Sequence, residues 1–327
     1  VAMFNNRLTF SLDYFDSRSK DLIMPVTISS VYGTDCMYRN LGEVSNKGIE
    51  FGAQLALIQN RDFKWYVGGT ISTNKNEVKS LGGENSMILS MSDGSAVISE
   101  VGQPLYSFYG YQTDGVFATD DAVVTAGKDG QALTNAIGVA FAAGDMRFVD
   151  QNGDGKIDKE DRVNLGNALP DFYGTFYTNF QYKGLAVSAV FGYSKGNKMY
   201  NAVRRTMESM SDFSNQLTSV TRRWMYEGQI TDIPRAVYGD PMENSRFSDR
   251  WIEDASYLKL KELMVSYKFN LFAGTTVFVA AENLFTATKY LGMDPETMYS
   301  YDSSMRGFDY GKIASPRTVK LGFKVQF

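Results

Sequence analysis

The chain has 327 residues, with 33 Lys or Arg against 37 Asp or Glu, a formal net charge of −4 and no histidine. That balance offers no basic footprint for nucleic acid or an anionic membrane surface, and the missing imidazole excludes Ser-His-Asp and Cys-His nucleophile sites and the usual transition-metal sites. The single cysteine, Cys36, excludes an internal disulfide and a thiolate zinc site.

Abundant aromatics, 22 Phe, 20 Tyr and 3 Trp, beside 30 Gly and only 7 Pro, favour strands and turns. Residues 1–20 lack the charged start, apolar middle and cleavage site of a signal peptide and open in mid-pattern. The first strand signal is RLTFSLDYF, with Leu8, Phe10, Leu12 and Tyr14 on one face and Thr9, Ser11 and Asp13 on the other. GIEFGAQLAL repeats it with Ile49, Phe51, Ala53, Leu55 and Leu57, and FKWYVGGTISTN with Phe63, Trp65, Val67 and Ile71. DFYGTFYTNFQY sets Phe172, Phe176 and Phe180 against Tyr173, Thr175, Tyr177 and Asn179. LAVSAVFGYS, YLKLKELMVSYKF and TTVFVAAENLF follow, and RTVKLGFKVQF ends the chain with Val319, Leu321, Phe323, Val325 and Phe327 on one face.

About ten strands of roughly 8 to 13 residues are expected, longer than those of ordinary globular sheets and of the length a tilted membrane strand needs. YKG at 182–184 and LFAG at 271–274 read as tight turns, whereas 76–104, 112–150 and 195–250 are long polar segments with little strand pattern. Short turns at one end and long loops at the other are the asymmetry of an all-β transmembrane barrel; a soluble sandwich would seldom need connections of this length. No apolar run approaches the roughly 18 residues of a membrane helix. Within 195–250 one or two short helices are expected before Gly228, their Met and aromatic residues forming a small loop core.

The segment DQNGDGKIDKED, 150–161, has the spacing of a calcium loop. Asp150, Asn152, Asp154 and Asp158 offer side-chain oxygens, Lys156 its backbone carbonyl, Asp161 the last ligand position, and Gly155 the sharp turn. A sensor EF-hand carries Glu where Asp161 stands and needs a helix on each side, which neither AAGDMRFV nor RVNLGNALPDFYG supplies. The reading is a structural Ca2+ site that stiffens a surface loop; an ion-free Asp/Asn/Gly turn is the plainer alternative.

Seven ordered blocks resemble the SusC/RagA family of TonB-linked outer-membrane transporters. They are NLGEVSNKGIEFGAQL (40–55), DFKWYVGGTISTNKNEV (62–78), GQPLYSFYGYQTDGVF (102–117) and GDMRFVDQNGDGKIDKEDRVNLGNALPDFYGTF (144–176). SDRWIEDASYLKLKELMVSYKF (248–269), ENLFTATKYLGMDPE (282–296) and DYGKIASPRTVKLGFKVQF (309–327) complete the set. The resemblance implies a 22-stranded barrel with an N-terminal plug, importing oligosaccharides or peptides with TonB and a SusD-like surface lipoprotein. It also implies that 150–161 lies in an extracellular loop. The signal peptide, TonB box and plug of such proteins are not in these residues, which look like the C-terminal third of such a protein and about ten strands of its barrel.

In this reading apolar faces meet outer-membrane lipid and polar faces line the lumen. Trp65, Tyr66, Tyr182, Tyr193, Trp251 and Tyr257 are candidates for interfacial girdles, and Phe327 for an assembly signal. Loops 76–104 and 195–250 are expected to meet cargo or the lid lipoprotein. A surface glycan-binding β-module with a structural calcium site is the alternative function. A carboxylate-pair glycosidase needs no histidine, but nothing singles out a pair among the acids.

Overall fold

The computed structural model describes residues 1–34, 36–269 and 274–325. The LFAG turn, apart from Gly274, and the terminal Phe327 lie outside the described residues. Its frame is one antiparallel sheet of eight long strands: β1 (Leu8–Thr27), β2 (Cys36–Gln59), β3 (Phe63–Leu81), β4 (Phe172–Tyr182), β5 (Leu185–Lys195), β6 (Tyr257–Phe269), β7 (Thr275–Thr288) and β8 (Thr318–Val325). They pair in chain order, with Ala2–Met3 added beside β1. The all-β antiparallel reading holds, with nine paired strands in the sheet where about ten were expected. Strands β1, β2 and β3 are much longer than expected, at 20, 24 and 19 residues. The stretch 76–81, read as loop in the sequence, is the end of β3.

Register lines the apolar residues up across the sheet. Leu12 faces Phe51, Phe51 faces Ile71, Phe176 faces Phe191, Val187 faces Val265, Val265 faces Val279 and Val279 faces Leu321. Because strand side chains alternate, the opposite face carries Ser11, Gln54, Thr70, Thr175, Ser188, Ser266 and Lys320. The apolar face is bare: Leu12 is 66% exposed and Leu321 79%. On β2 it runs from Ile49 to Leu57, close to the roughly 9–11 residues of a tilted spanning strand. It stops at a Lys47–Asp16 ion pair of 2.8 Å, where the same face turns polar. A bulge between Leu260 and Glu262 moves one residue out of register, so Leu258 and Leu260 rejoin the face of Leu263 and Val265.

The connections at 60–62 and 183–184 are short and share one end of the sheet, while 82–171, 196–256 and 289–317 leave from the other. These three long segments fold together. Val97, Phe108 and Leu165 of the first, Tyr200, Phe247 and Trp251 of the second and Phe308 of the third form one buried cluster. Lys198–Asn201 pairs with Ile252–Asp254 on one side and Phe308–Asp309 on the other, and a four-stranded sheet forms within 86–166. Short helices at Ala202–Glu208 and Thr218–Arg222 match the expectation for the second segment, and Met210, Val220 and Ile233 form its own small core.

Trp251, expected in an interfacial girdle, is instead wholly buried in this cap, its Nε1–H donating to the Arg246 carbonyl at 3.0 Å. The guanidiniums of Arg250 and Arg204 lie 4.4 and 5.4 Å from its ring. Tyr66 and Tyr257 share the polar face, again not a girdle; Trp65 and Tyr182 remain on the apolar face near the short-turn end. Tyr193 is also on the apolar face, near the cap end, with its hydroxyl donating to the Thr70 carbonyl at 2.9 Å.

Because one cluster joins all three segments through Trp251, Trp251→Ala is expected to cost about 3–5 kcal/mol of cap stability. Hydrogen exchange should then rise together in 82–171, 196–256 and 289–317, with the amides of β4 to β7 keeping their protection.

Candidate functional site

The loop 150–161 sits in the first long segment between strands Met146–Phe148 and Arg162–Gly166, with no helix pair around it. Its carboxylates organise the backbone. Asp150 Oδ1 accepts from Gly153 N–H at 2.7 Å and its Oδ2 from Gly155 N–H at 2.7 Å. Asn152 Oδ1 accepts from Asp154 N–H at 2.9 Å, Asp154 Oδ1 from Lys156 N–H at 2.8 Å, and Asp158 Oδ1 from Glu160 N–H at 2.8 Å. Gly155 has φ +85°, the left-handed conformation that a tight turn at this position requires. Lys156 is exposed, and only its backbone faces into the turn through that N–H.

Asp161 closes the loop from inside the protein. It is fully buried, with Oδ1 accepting from Gln151 N–H at 2.9 Å and Oδ2 from Asp158 N–H at 2.7 Å. Burial pushes its carboxyl above the ordinary aspartate range and the charges of Asp150 and Asp158 push the same way, while the two N–H groups pull it back. Among the described residues Asp150, Asp154, Asp158 and Asp161 make no ion pair, and no three His, Cys, Asp or Glu side chains are gathered as a metal cage. The donor atoms are all oxygens, the chemistry that suits calcium, and the carboxylates of Asp150 and Asp158 crowd the buried Asp161.

One residue escaped the sequence reading. Ile157, between the ligand candidates, is fully buried and packs with Phe117, Leu133, Met146 and Phe148, anchoring the loop to a second core. The signal was present as the single apolar residue inside an otherwise polar dodecamer.

The polar face of the wall offers a second arrangement where it passes under the cap. Asn46 Oδ1 accepts from Asn76 Nδ2 at 2.9 Å and from Asn74 Nδ2 at 3.2 Å, and Asn76 Oδ1 accepts from the Leu105 N–H at 2.8 Å. This amide ladder joins β2 and β3 to the first cap segment, and nothing in the sequence reading singled it out. At the base of the third segment Lys259 bonds Asp294 at 3.0 Å and Glu296 at 2.9 Å, and Tyr257 donates to Glu296 at 2.7 Å.

The raised carboxyl of Asp161 makes the ion-free loop weakest at neutral pH. An acid whose folded pKa is raised holds its proton more tightly when folded, so stability is full below the ordinary aspartate value and falls as pH rises through the folded one. Protection factors for the amides of 150–161 should therefore fall over that window, and Asp161→Asn should flatten the profile.

Comparison with known proteins bears on the whole chain. No family model matches the sequence. TonB-dependent receptor P3 of Formosa agariphila is 30% identical over all of this chain and 33% of its own length. TonB-dependent receptor SusC of Bacteroides thetaiotaomicron is 26% identical over 99% of this chain and 30% of its own. The chain thus spans about a third of the curated relatives it matches. Among solved structures, a RagAB peptide transporter superposes with a TM-score of 0.78 at 24% identity, over 98% of this chain and 34% of that one. The same importer in a closed-closed state gives 0.76 at 25% identity. The resemblance to the SusC/RagA family read in seven sequence blocks therefore holds along the entire chain, which shares its fold with a third of such a transporter.

Proposed function

We propose that these residues form an arc of the outer-membrane barrel of a TonB-dependent nutrient importer, with the cap on the cell exterior. The observation that carries this is the two-faced sheet: a bare apolar belt of spanning length on one side and a polar wall on the other. In hydrocarbon each ladder N–H and C=O needs a partner, so the outer edges at Ala2–Met3 and β8 would pair with further strands of the same barrel. The plug and the TonB contact would lie in the remaining two thirds of such a receptor. A SusD-like surface lipoprotein would meet the cap, and cargo, oligosaccharide or peptide, would pass along the polar face. The bare belt disfavours a soluble glycan-binding module, which would leave that face in water. The role is transport, with no catalytic residue assigned.

We further infer that 150–161 is a calcium clasp in the cap. Asp150, Asn152, Asp154, Asp158 and Asp161 would supply side-chain oxygens and Lys156 its carbonyl, neutralising the charge that burial of Asp161 leaves uncompensated. A bound cation would lower the Asp161 carboxyl, so affinity should weaken on acidification. Terbium luminescence with the full-length protein is expected to show one calcium-displaceable site, lost in Asp154→Ala and diminishing as pH falls. No calcium-displaceable signal at neutral pH would remove the clasp and leave the transporter reading standing.

The membrane reading has its own test. Val279→Arg, at the middle of the apolar belt, is expected to destabilise bilayer insertion by about 2–4 kcal/mol, and Ser266→Arg on the polar face to change it little. Denaturant titration of the full-length protein in lipid vesicles measures both; equal effects would contradict a lipid-facing belt.

A further inference from the structure

Two cavities open on the polar face where the cap overhangs β2 and β3. One, of about 230 Å³, is lined by Asn46, Asn74, Asn76, Tyr106 and Arg306 together with aliphatic residues and Ser303 of the cap. Its neighbour, of about 300 Å³, is lined by Tyr173 and Tyr257 of the wall and by Pro170. Asn74, Leu169 and Arg306 border both, so the two are adjoining compartments of one cleft. Each lies at or below the lower end of ordinary ligand pockets, roughly 300–1,000 Å³, room for about one ring apiece.

The polar groups here are left with unused valences. The amide ladder consumes Asn46 Oδ1 and Asn76 Oδ1, but Asn74 Oδ1 is buried with no hydrogen-bond partner. An unsatisfied buried acceptor of this kind is costly and calls for a donor from outside the fold. Arg306 is exposed and makes no ion pair among the described residues. Among the described residues no carboxylate lines either compartment. Of the acids around it, Asp302 accepts from Ser304 N–H at 2.9 Å, Glu296 is held by Lys259, Lys261 and Tyr257, and Asp171 lines an adjoining cavity with Lys47 and Lys75. The cleft therefore presents one unpaired cation, one unpaired acceptor and tyrosine rings in a space of about two sugar rings.

Resting on the importer reading above, we propose that this cleft is a cargo subsite for an acidic glycan. It takes a uronate ring with the carboxylate on Arg306 and a ring hydroxyl donating to Asn74 Oδ1. The tyrosines of the wall supply faces for the rings, and the free Nδ2 of Asn46 a further donor to a hydroxyl oxygen. A guanidinium matches a carboxylate with two parallel N–H donors, which a neutral hexose cannot use. A peptide also offers a terminal carboxylate and backbone N–H donors, but an aliphatic peptide has no ring to lay on Tyr106, Tyr173 and Tyr257, so the glycan uses more of the cleft.

The test uses the full-length transporter extracted from the outer membrane, with digalacturonate, the neutral disaccharide cellobiose and dialanine as probes in calorimetric titrations. Digalacturonate is expected to bind at least about tenfold more tightly than cellobiose, the scale of one charge-assisted hydrogen bond. Arg306→Gln should erase most of that preference by weakening digalacturonate far more than cellobiose, and Asn74→Ala should weaken both sugars. Equal binding of the two sugars, no binding of any probe, a preference that survives Arg306→Gln, or dialanine displacing digalacturonate would each overturn the subsite. Failure of the unsubstituted protein to fractionate with the outer membrane would instead overturn the importer reading beneath it.

Discussion

The constraint on which the structure depends is backbone pairing in a medium without water. An unpaired N–H or C=O costs several kcal/mol in hydrocarbon, so a spanning sheet has to be a continuous ladder. From Leu8 to Val325 the eight long strands give such a ladder, each paired to the next in chain order. Alternation then leaves no freedom in the sequence: a face that meets lipid must be apolar at every second residue, and its partner residues must suit water. Leu12, Phe51, Phe176, Val265, Val279 and Leu321 follow the first requirement, and Gln54, Thr175, Ser266 and Lys320 the second. A one-residue slip would exchange the faces, which is why the bulge between Leu260 and Glu262 is accommodated by a compensating pair of leucines.

The wall has no core of its own on the apolar side, so the folded interior of the molecule sits in the cap. Each long segment alone has too few apolar residues to offset the entropy of ordering it. Together they share Phe108, Trp251 and Phe308 and cross-link through buried polar contacts. The hydroxyl and N–H of Thr113 bond Asp249 at 2.6 and 3.0 Å, and Arg235 spans both oxygens of Asp145 at 2.9 and 3.0 Å. A cap built this way fixes Arg306 beside the amide ladder of the polar wall.

Much of the wall was legible in the sequence because strand alternation is local: RLTFSLDYF, GIEFGAQLAL and RTVKLGFKVQF declare their faces without knowledge of their neighbours. The turn-and-loop asymmetry was legible for the same reason. The end of β3, 76–81, was not, since NEVKSL has only Val78 and Leu81 among polar residues and reads as loop until its partners on β2 are known. Trp251 was misplaced because aromatic content alone does not distinguish an interface from a core; its burial depends on Val97 and Phe308, far away in the chain. In the acidic loop the ligand spacing was plain, but the burial of Asp161 and the anchoring of Ile157 against Phe117 and Phe148 arise from tertiary packing.

The central claim is that the apolar face meets lipid, and Trp65 reports on it directly: it lies on that face with its indole N–H donating to Thr178 at 2.9 Å, while Trp251 is enclosed in the cap. Fluorescence quenching by dibrominated lipids, measured for the full-length protein and for Trp65→Phe in the same vesicles, isolates its contribution. The account predicts that the Trp65 emission is strongly quenched by the brominated chains and insensitive to aqueous iodide. Emission quenched by iodide and untouched by brominated lipid would contradict it.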